Sequence, residues 1–185
     1  MRSRRIPRYL AGLALVFCLV WPAAPTRAGL TGDQVSRIQA AFLVRFCRYV
    51  EWPQNAFAKE QAPIIIGILG HDPFGSAINQ TARNFRAQGH DIKIVRLLDR
   101  SDARKCHILF VAPDQEKHLP EIEASIKDLP VLLVSNMDHF LEEGGMIQFI
   151  IQNSKIRFDI DLADCRRHNL KISSKLLKIA HQVVR

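Results

Sequence analysis

The residues best placed for chemistry in this sequence are Gly70, His71 and Asp72, which follow the apolar run PIIIGIL. The run has neither a helical nor an alternating period, which is typical of a strand buried on both faces of a sheet. Ligands of α/β proteins tend to bind where such strands end. These three residues are therefore the candidate ligand cleft of the chain.

The glycines around this turn do not match either of the common phosphate-binding loops. A dinucleotide fingerprint needs the spacing G-x-G-x-x-G, which Gly67, Gly70 and Gly75 miss. A Walker A loop needs Lys and a hydroxyl residue after its second glycine, and the chain has Ser76 and Ala77 there. Without the cation, the simpler prediction is a turn between a strand and a helix, with no nucleotide bound.

No other catalytic or metal-binding pattern is legible. Histidines stand at positions 71, 90, 107, 118, 139, 168 and 181, and no two have metal-ligand spacing within one predicted element. The chain has no G-x-S-x-G elbow and no S-x-x-K motif. Asp72 is more simply a helix cap than a catalytic acid. We therefore predict no catalytic residue, no cofactor and no metal site.

The first 28 residues have the order of regions found in a secretory signal. A basic segment containing four arginines precedes twelve mostly apolar residues, Leu10 to Trp21, and Ala28 offers a small residue for cleavage. Prolines close the apolar run well short of the roughly 20 residues that span a membrane. We predict a signal peptide over 1–28 and export to the periplasm; an uncleaved anchor is the alternative.

The mature chain would carry little net charge and three cysteines. The formal net charge of the whole chain is +8, and residues 1–28 contain five arginines. Without them the net charge is about +3, a value that does not indicate nucleic acid binding. Cys47, Cys106 and Cys165 form no C-x-x-C motif. One disulfide with one buried thiol and three buried thiols both fit this count.

The order of elements predicts one α/β domain over residues 29–185. An amphipathic helix from Asp33 to Val50, capped by Asp33, precedes a βαββαβ alternation. A β-hairpin follows, with Met146–Ile151 paired to Lys155–Ile160. A last helix begins at Ser173, and its apolar stripe is predicted to include Val183 and Val184. The predicted fold is a mixed, largely parallel sheet flanked by helices in Rossmann-like layering, with a C-terminal hairpin and helix.

Five blocks of the sequence, in order, resemble the YfiR family of small exported proteins. They are AAFLVRFCRYVEWP, IIIGILGHDPFG, KCHILFVAP, VLLVSNMDHFLEEGGMIQFI and RFDIDLADCRRHNLKISSKLLKIA. The resemblance implies a periplasmic α/β domain that represses an inner-membrane diguanylate cyclase by binding its periplasmic part. In some members cysteine pairs make this restraint sensitive to redox state. A homodimer is also compatible with the sequence.

The candidate partner interface lies near the C-terminus. Leu170 and Ile172 are apolar residues in a connector between two predicted helices, and connectors usually lie at the surface. With the strand of Phe158 alongside, they form the predicted repressing surface. The alternative is that Leu170 and Ile172 are buried as a hydrophobic staple for the last helix. A small-ligand binding protein that uses the cleft after Gly70 is the alternative function.

Overall fold

The structure, a computed structural model, describes residues 29–184. The predicted signal peptide lies outside these residues. The α-helices are α1 (Gly32–Tyr49), α2 (Ser76–Ala82), α3 (Leu119–Ile126), α4 (Leu162–Arg167) and α5 (Ser174–Ile179). The strands are β1 (Val50–Glu51), β2 (Ile64–Leu69), β3 (Arg86–Ala87), β4 (His90–Leu97), β5 (Ile108–Val111), β6 (Leu132–Ser135), β7 (Ile147–Gln152), β8 (Lys155–Asp161), β9 (Lys171–Ile172) and β10 (Gln182–Val184). Short 3₁₀ helices cover Gln54–Ala56, Arg100–Lys105 and Pro113–His118.

Eight strands form one mixed sheet in the order β10-β8-β7-β6-β5-β2-β4-β3. The five strands from β7 to β4 run parallel, whereas β8 is antiparallel to β7 and β3 is antiparallel to β4. A separate two-stranded sheet pairs β1 with β9. The prediction of a mixed, largely parallel sheet flanked by helices is confirmed.

The strand β2 lies inside the sheet because its residues can be covered on both faces. It pairs in parallel with β4 and β5, and five of its six residues are buried. Gly67 is needed here for space, since a Cβ atom at this position would overlap the Sγ atom of Cys106. The strand thus ends at Leu69 with its carboxyl edge beside those of β4 and β5.

Helix α1 covers one face of the hairpin end of the sheet. Its Phe42 and Phe46 rings contact Phe149 of β7 and Phe158 of β8, with ring centroids 5.2 to 6.1 Å apart. These four rings bury a large apolar area between helix and sheet, and edge-to-face pairs add about 1 kcal/mol each. The layering predicted from the apolar period of this helix is therefore present.

The start of α1 differs from the prediction in its capping residue. Thr31, not Asp33, is the N-cap: its hydroxyl accepts a hydrogen bond from the Gln34 amide, and the Gln34 side chain accepts one from the Thr31 amide. Asp33 lies in the first turn, where it pairs with Arg37 at 3.0 Å and suits the positive end of the helix dipole. The prediction that Asp33 caps the helix was wrong by two residues.

The C-terminal hairpin is confirmed and the last helix is shorter than predicted. Asn153 and Ser154 both have positive φ, as a two-residue hairpin turn of matching twist requires. Helix α5 ends at Ile179, and residues 182–184 form β10, which pairs in parallel with β8. The β-branched Val183 and Val184 therefore belong to a strand at the sheet edge and not to the helical stripe.

Candidate functional site

The turn after β2 is closed by the carboxylate of Asp72. Its Oδ1 atom accepts hydrogen bonds from the amides of Phe74 and Gly75, at 2.7 and 3.3 Å. The N-cap of α2 is Gly75, and no side chain caps it. The prediction that Asp72 caps this helix was wrong, because its carboxylate binds the amides of the turn that precedes the helix.

The other oxygen of Asp72 binds Arg96, which follows 24 residues later in the chain. The Nε and Nη2 atoms of Arg96 donate to Asp72 Oδ2 at 2.9 and 2.8 Å. Arg96 also donates to the side chain of Asn79 and to the carbonyl of Gly75. The two partners meet because β4 runs parallel to β2 and ends at the same sheet edge. With its donors used by protein acceptors, the guanidinium fixes the turn and is not set up to receive an anion.

Gly70 and His71 face a different partner from Asp72. The His71 amide donates to Asp114 Oδ1 at 2.9 Å, and this hydrogen bond is the main reason that the pKa of Asp114 is lowered. The His71 side chain is exposed. A surface depression of about 590 Å³ lies beside the turn, and of the three predicted cleft residues it is lined by Asp72 alone. The predicted cleft residues therefore do not form one site. Asp72 and the His71 amide take part in hydrogen bonds that hold the turn, whereas the His71 imidazole is exposed.

The predicted interface segment is not exposed in the way that its place between two helices suggested. Phe158 is 1% exposed and Leu170 is 2% exposed, while Ile172 is partly buried against the core. The reason is the pairing of β9 with β1, extended by a hydrogen bond from the Ser173 amide to the Tyr49 carbonyl. The prediction of an exposed connector is therefore wrong for Leu170, and the burial of Leu170 and Ile172 fits the alternative that both side chains turn into the core. Phe158 lies on the buried face of β8 and cannot form part of an exposed surface.

Exposed apolar side chains occur instead around the neighbouring edge strand. Ile151 is 62% exposed and Ile179 is 52% exposed, and Val184 on β10 is also exposed. A contact of 3.0 Å between Gln152 and His181 joins the hairpin to the start of β10. We call Ile151, Ile179 and the outer edge of β10 the β10 edge surface; the strand registers place Val184 on the opposite face of the sheet from Ile151. The sequence concealed it, because the strand that creates it was predicted to be helix.

The cysteines of the described residues are unpaired and buried. Burial raises the pKa of the Cys47 thiol, and it raises the pKa values of Cys106 and Cys165 to about 12. Such thiols are protonated at neutral pH and therefore poor nucleophiles. The number of cysteines left two interpretations open. Within residues 29–184 the structure shows the second of them, three buried thiols. Nor do His, Cys, Asp and Glu side chains of these residues gather into a group that could hold a metal ion.

The fold and these sites define the chain as an α/β domain. The polar groups at the ends of its central strands form hydrogen bonds that stabilise the protein's own turns. The chain belongs to the YfiR/HmsC-like family, whose model matches residues 36–181, and the resemblance drawn from the sequence blocks is thereby confirmed. This family consists of regulatory, non-catalytic periplasmic proteins that act on the synthesis of cyclic-di-GMP. None of the helices within 29–184 is long and apolar enough to cross a membrane.

No curated protein matches the sequence of this chain. Among solved structures it is similar to an ABC domain from Streptococcus pneumonia in complex with L-Trp, with 13% identity and a TM-score of 0.47 over 65% of this chain. A conserved domain protein from Vibrio cholerae O1 biovar El Tor strain N16961 gives 10% identity and a TM-score of 0.46 over 64% of this chain. The chain spans about half the length of each, 55% and 54%.

Proposed function

We propose that this protein is a non-catalytic periplasmic regulator that represses an inner-membrane diguanylate cyclase by binding its periplasmic part, and so lowers cyclic-di-GMP synthesis. The observation that carries the proposal is the family match over residues 36–181. A contact role is supported by the turn after β2, where the Asp72 carboxylate of the candidate ligand cleft is already bound by hydrogen bonds from Arg96.

The β10 edge surface is the face that we assign to the partner. An edge strand presents unpaired backbone N–H and C=O groups, to which a second chain can add a strand. Exposed apolar side chains beside such an edge suit a protein contact more than solvent. Phe158, Leu170 and Ile172, the residues singled out from the sequence, support this surface from the core side. Their part in binding is to hold β8 and α5 in place.

Export is part of the same proposal. Residues 1–28 act as a signal peptide that is cleaved near Ala28, and residues 29–185 form the periplasmic domain. The intact mass of the protein purified from the periplasm tests this directly. A mass corresponding to a chain that begins near Gly29 supports the proposal, and a full-length chain retained in the membrane contradicts it.

The partner is identified by purifying a tagged form of the protein from cross-linked, detergent-solubilised membranes and analysing it by mass spectrometry. We expect a membrane protein with a diguanylate cyclase domain. Ile151→Asp and Ile179→Asp place a charge on the β10 edge surface and should reduce its recovery about 10-fold, because a charge buried at the centre of an interface is costly. Cellular cyclic-di-GMP should rise in the same two variants.

A matched control separates contact from general surface effects. Leu98 is also a fully exposed apolar side chain, but it follows β4 near the other end of the sheet. Leu98→Asp should therefore retain recovery of the cyclase. Leu170→Asp, in the core, should instead lower the melting temperature by many degrees. Equal loss of recovery in the Leu98 and Ile179 variants, with both folded, would argue against the β10 edge surface.

Two alternatives are outcomes of the same experiment. Capture of a second copy of this chain, and of no cyclase, would indicate a homodimer formed through the edge strand. If the protein instead binds a small ligand through Gly70, His71 and Asp72, no cyclase should be recovered, and the ligand should bind at the turn formed by these residues. The internal pairing of Asp72 with Arg96 makes this second function the less supported one.

A further inference from the structure

A cavity of about 350 Å³ is lined by residues of α3, β6 and α4 and by the segment that precedes β7. The apolar part of its lining includes Ile126, Leu133 and Met146, each of which is at most 1% exposed. At the roughly 30 Å³ that a water molecule occupies in the liquid, the cavity has room for on the order of ten non-hydrogen atoms. Its size and its buried apolar lining therefore suit a small organic molecule.

Glu123 of α3 brings a carboxylate without an ion pair into this lining. No basic side chain of residues 29–184 lies within ion-pair distance of it. Its Oε1 atom is buried and receives no hydrogen bond from these residues. That oxygen lies against Gly144, where a Cβ atom would overlap it, whereas Oε2 keeps accessible surface. Oε2 is therefore the oxygen that a molecule in the cavity can reach.

The surroundings of Glu123 disfavour the charge of its carboxylate. Desolvation is the main cause that raises the pKa of Glu123, and the charge of the nearby Glu143 adds to this effect. Arg167 acts in the opposite direction, but its guanidinium is paired with the buried carboxylate of Asp164. A positive charge bound beside Glu123 would offset both the desolvation and the repulsion from Glu143.

His168 adds a second acceptor to the lining. Its Nδ1 atom lies 2.8 Å from the carbonyl oxygen of Leu129, which can only accept, so Nδ1 carries the proton of the neutral imidazole. The Nε2 atom of that ring is then an acceptor, and it too keeps accessible surface. The cavity thus combines an apolar lining with an unpaired carboxylate and an imidazole acceptor.

We propose that this cavity binds a small organic ammonium ion, whose ammonium group donates to Glu123 Oε2 and whose hydrocarbon body packs against Ile126 and Met146. An ammonium group supplies both the positive charge that the unpaired carboxylate attracts and a further donor for His168 Nε2. An alcohol would lack the charge, and a carboxylate would be repelled by Glu123. This binding does not depend on the cyclase partner or on the β10 edge surface.

The test is isothermal titration of the protein at pH 7 with hexylammonium, hexan-1-ol and hexanoate, which share a chain length and differ in the head group. Phosphate is the buffer, because Tris is itself an amine. We expect saturable one-to-one binding of hexylammonium, binding of the alcohol weakened about 10-fold, and binding of hexanoate weakened further, since the charge-assisted hydrogen bond is lost and then replaced by repulsion. Binding of hexan-1-ol or hexanoate as tight as that of hexylammonium, or no saturable binding of hexylammonium at millimolar concentration, would overturn the proposal.

Substitution of the carboxylate locates the site. Glu123→Gln keeps the shape of the side chain and removes its charge, so it should weaken hexylammonium about 10-fold and leave hexan-1-ol unchanged. Glu121→Gln is the matched control, because Glu121 is an exposed residue of the same helix that pairs with Arg100 and does not line the cavity. Its affinity for hexylammonium should equal that of the native protein. Unchanged affinity in a folded Glu123→Gln protein would refute the assignment.

A second variant gives a change of the opposite sign and keeps the test valid if the Glu123 variant unfolds. Lys127 lines the cavity and is exposed, so Lys127→Gln should fold normally. It removes a charge that repels an ammonium ion, and it should therefore tighten hexylammonium about 2-fold and weaken hexanoate. Weaker binding of hexylammonium in Lys127→Gln would contradict the proposal.

Discussion

Lowering the pH from 7 to 4 should destabilise the protein through His107 in particular. The imidazole has an ordinary pKa of 6.5 in the unfolded chain and about 4 in the folded one, because burial disfavours its charged form. Between these two values the unfolded chain takes up a proton that the folded chain does not. Protonation therefore favours unfolding as the pH falls through this range, and the stabilising contribution is complete only above pH 6.5.

The size of this effect follows from the two pKa values. Each unit of difference corresponds to 1.36 kcal/mol, so the free energy of unfolding should fall by at most about 3 kcal/mol between pH 6.5 and pH 4 on account of His107. That is a large part of the 5 to 15 kcal/mol that is typical of a domain of this size. Protonation would also disrupt the hydrogen bond that Nδ1 accepts from the Ile65 amide.

The assay is urea unfolding followed by circular dichroism at pH 7, 6, 5 and 4, in the native chain and in His107→Asn. Carboxylates titrate in both proteins, so the difference between the two pH profiles isolates the imidazole. The native chain should lose about 2 to 3 kcal/mol more than the variant over this range. Identical pH profiles for the native chain and the His107 variant would refute the reasoning.

Three further results are expected. Gly144→Ala should cost up to about 1 kcal/mol more than Gly89→Ala, because both glycines have φ near +90° but only at Gly144 would a Cβ atom overlap the Glu123 carboxylate, which has to move aside. Arg96→Met should lower the free energy of unfolding by about 1 kcal/mol, since it leaves the half-buried Asp72 carboxylate without its ion pair. In a Cys18→Ser background, the native protein should react slowly with iodoacetamide at pH 8 and rapidly once unfolded, through three thiols: Cys47, Cys106 and Cys165.

Each of these three predictions can be tested by a measurement whose opposite result would contradict it. Denaturant titration compares the two glycine variants, and equal losses would mean that the Glu123 contact is relieved without cost. Lys93→Met, at an exposed position on β4, is the control for Arg96→Met and should be nearly neutral. Mass spectrometry counts the modified thiols, and rapid labelling in the native state would contradict their burial.

Much of the fold could be predicted from the sequence because the relevant signals are local. The run Ile64–Leu69 is apolar without a period, which is typical of a strand covered on both faces. The two residues between Gln152 and Lys155 set the hairpin register through turn geometry. The sequence blocks also identified the family, since they span most of the domain and occur in order.

The site depended on contacts between residues far apart in the chain, which no local pattern records. Arg96 reaches Asp72 only because β4 lies parallel to β2. As a result Asp72, a predicted cleft residue, binds Arg96 and holds the turn in place. Leu170 looked like an exposed connector residue until β9 paired with β1 and placed it in the core.

By itself, the sequence determined the class of fold, the buried central strand, the hairpin and the family. Only the tertiary structure decided which apolar residues are exposed, that residues 182–184 form a strand instead of a helix, and which histidine is buried. The physical reason is that hydrophobic period and turn chemistry act over a few residues, whereas burial and hydrogen-bond satisfaction depend on every element that packs around a side chain. His107 illustrates this, since its spacing indicated nothing, whereas its burial beside Trp52 and Phe57 lowers its pKa to about 4.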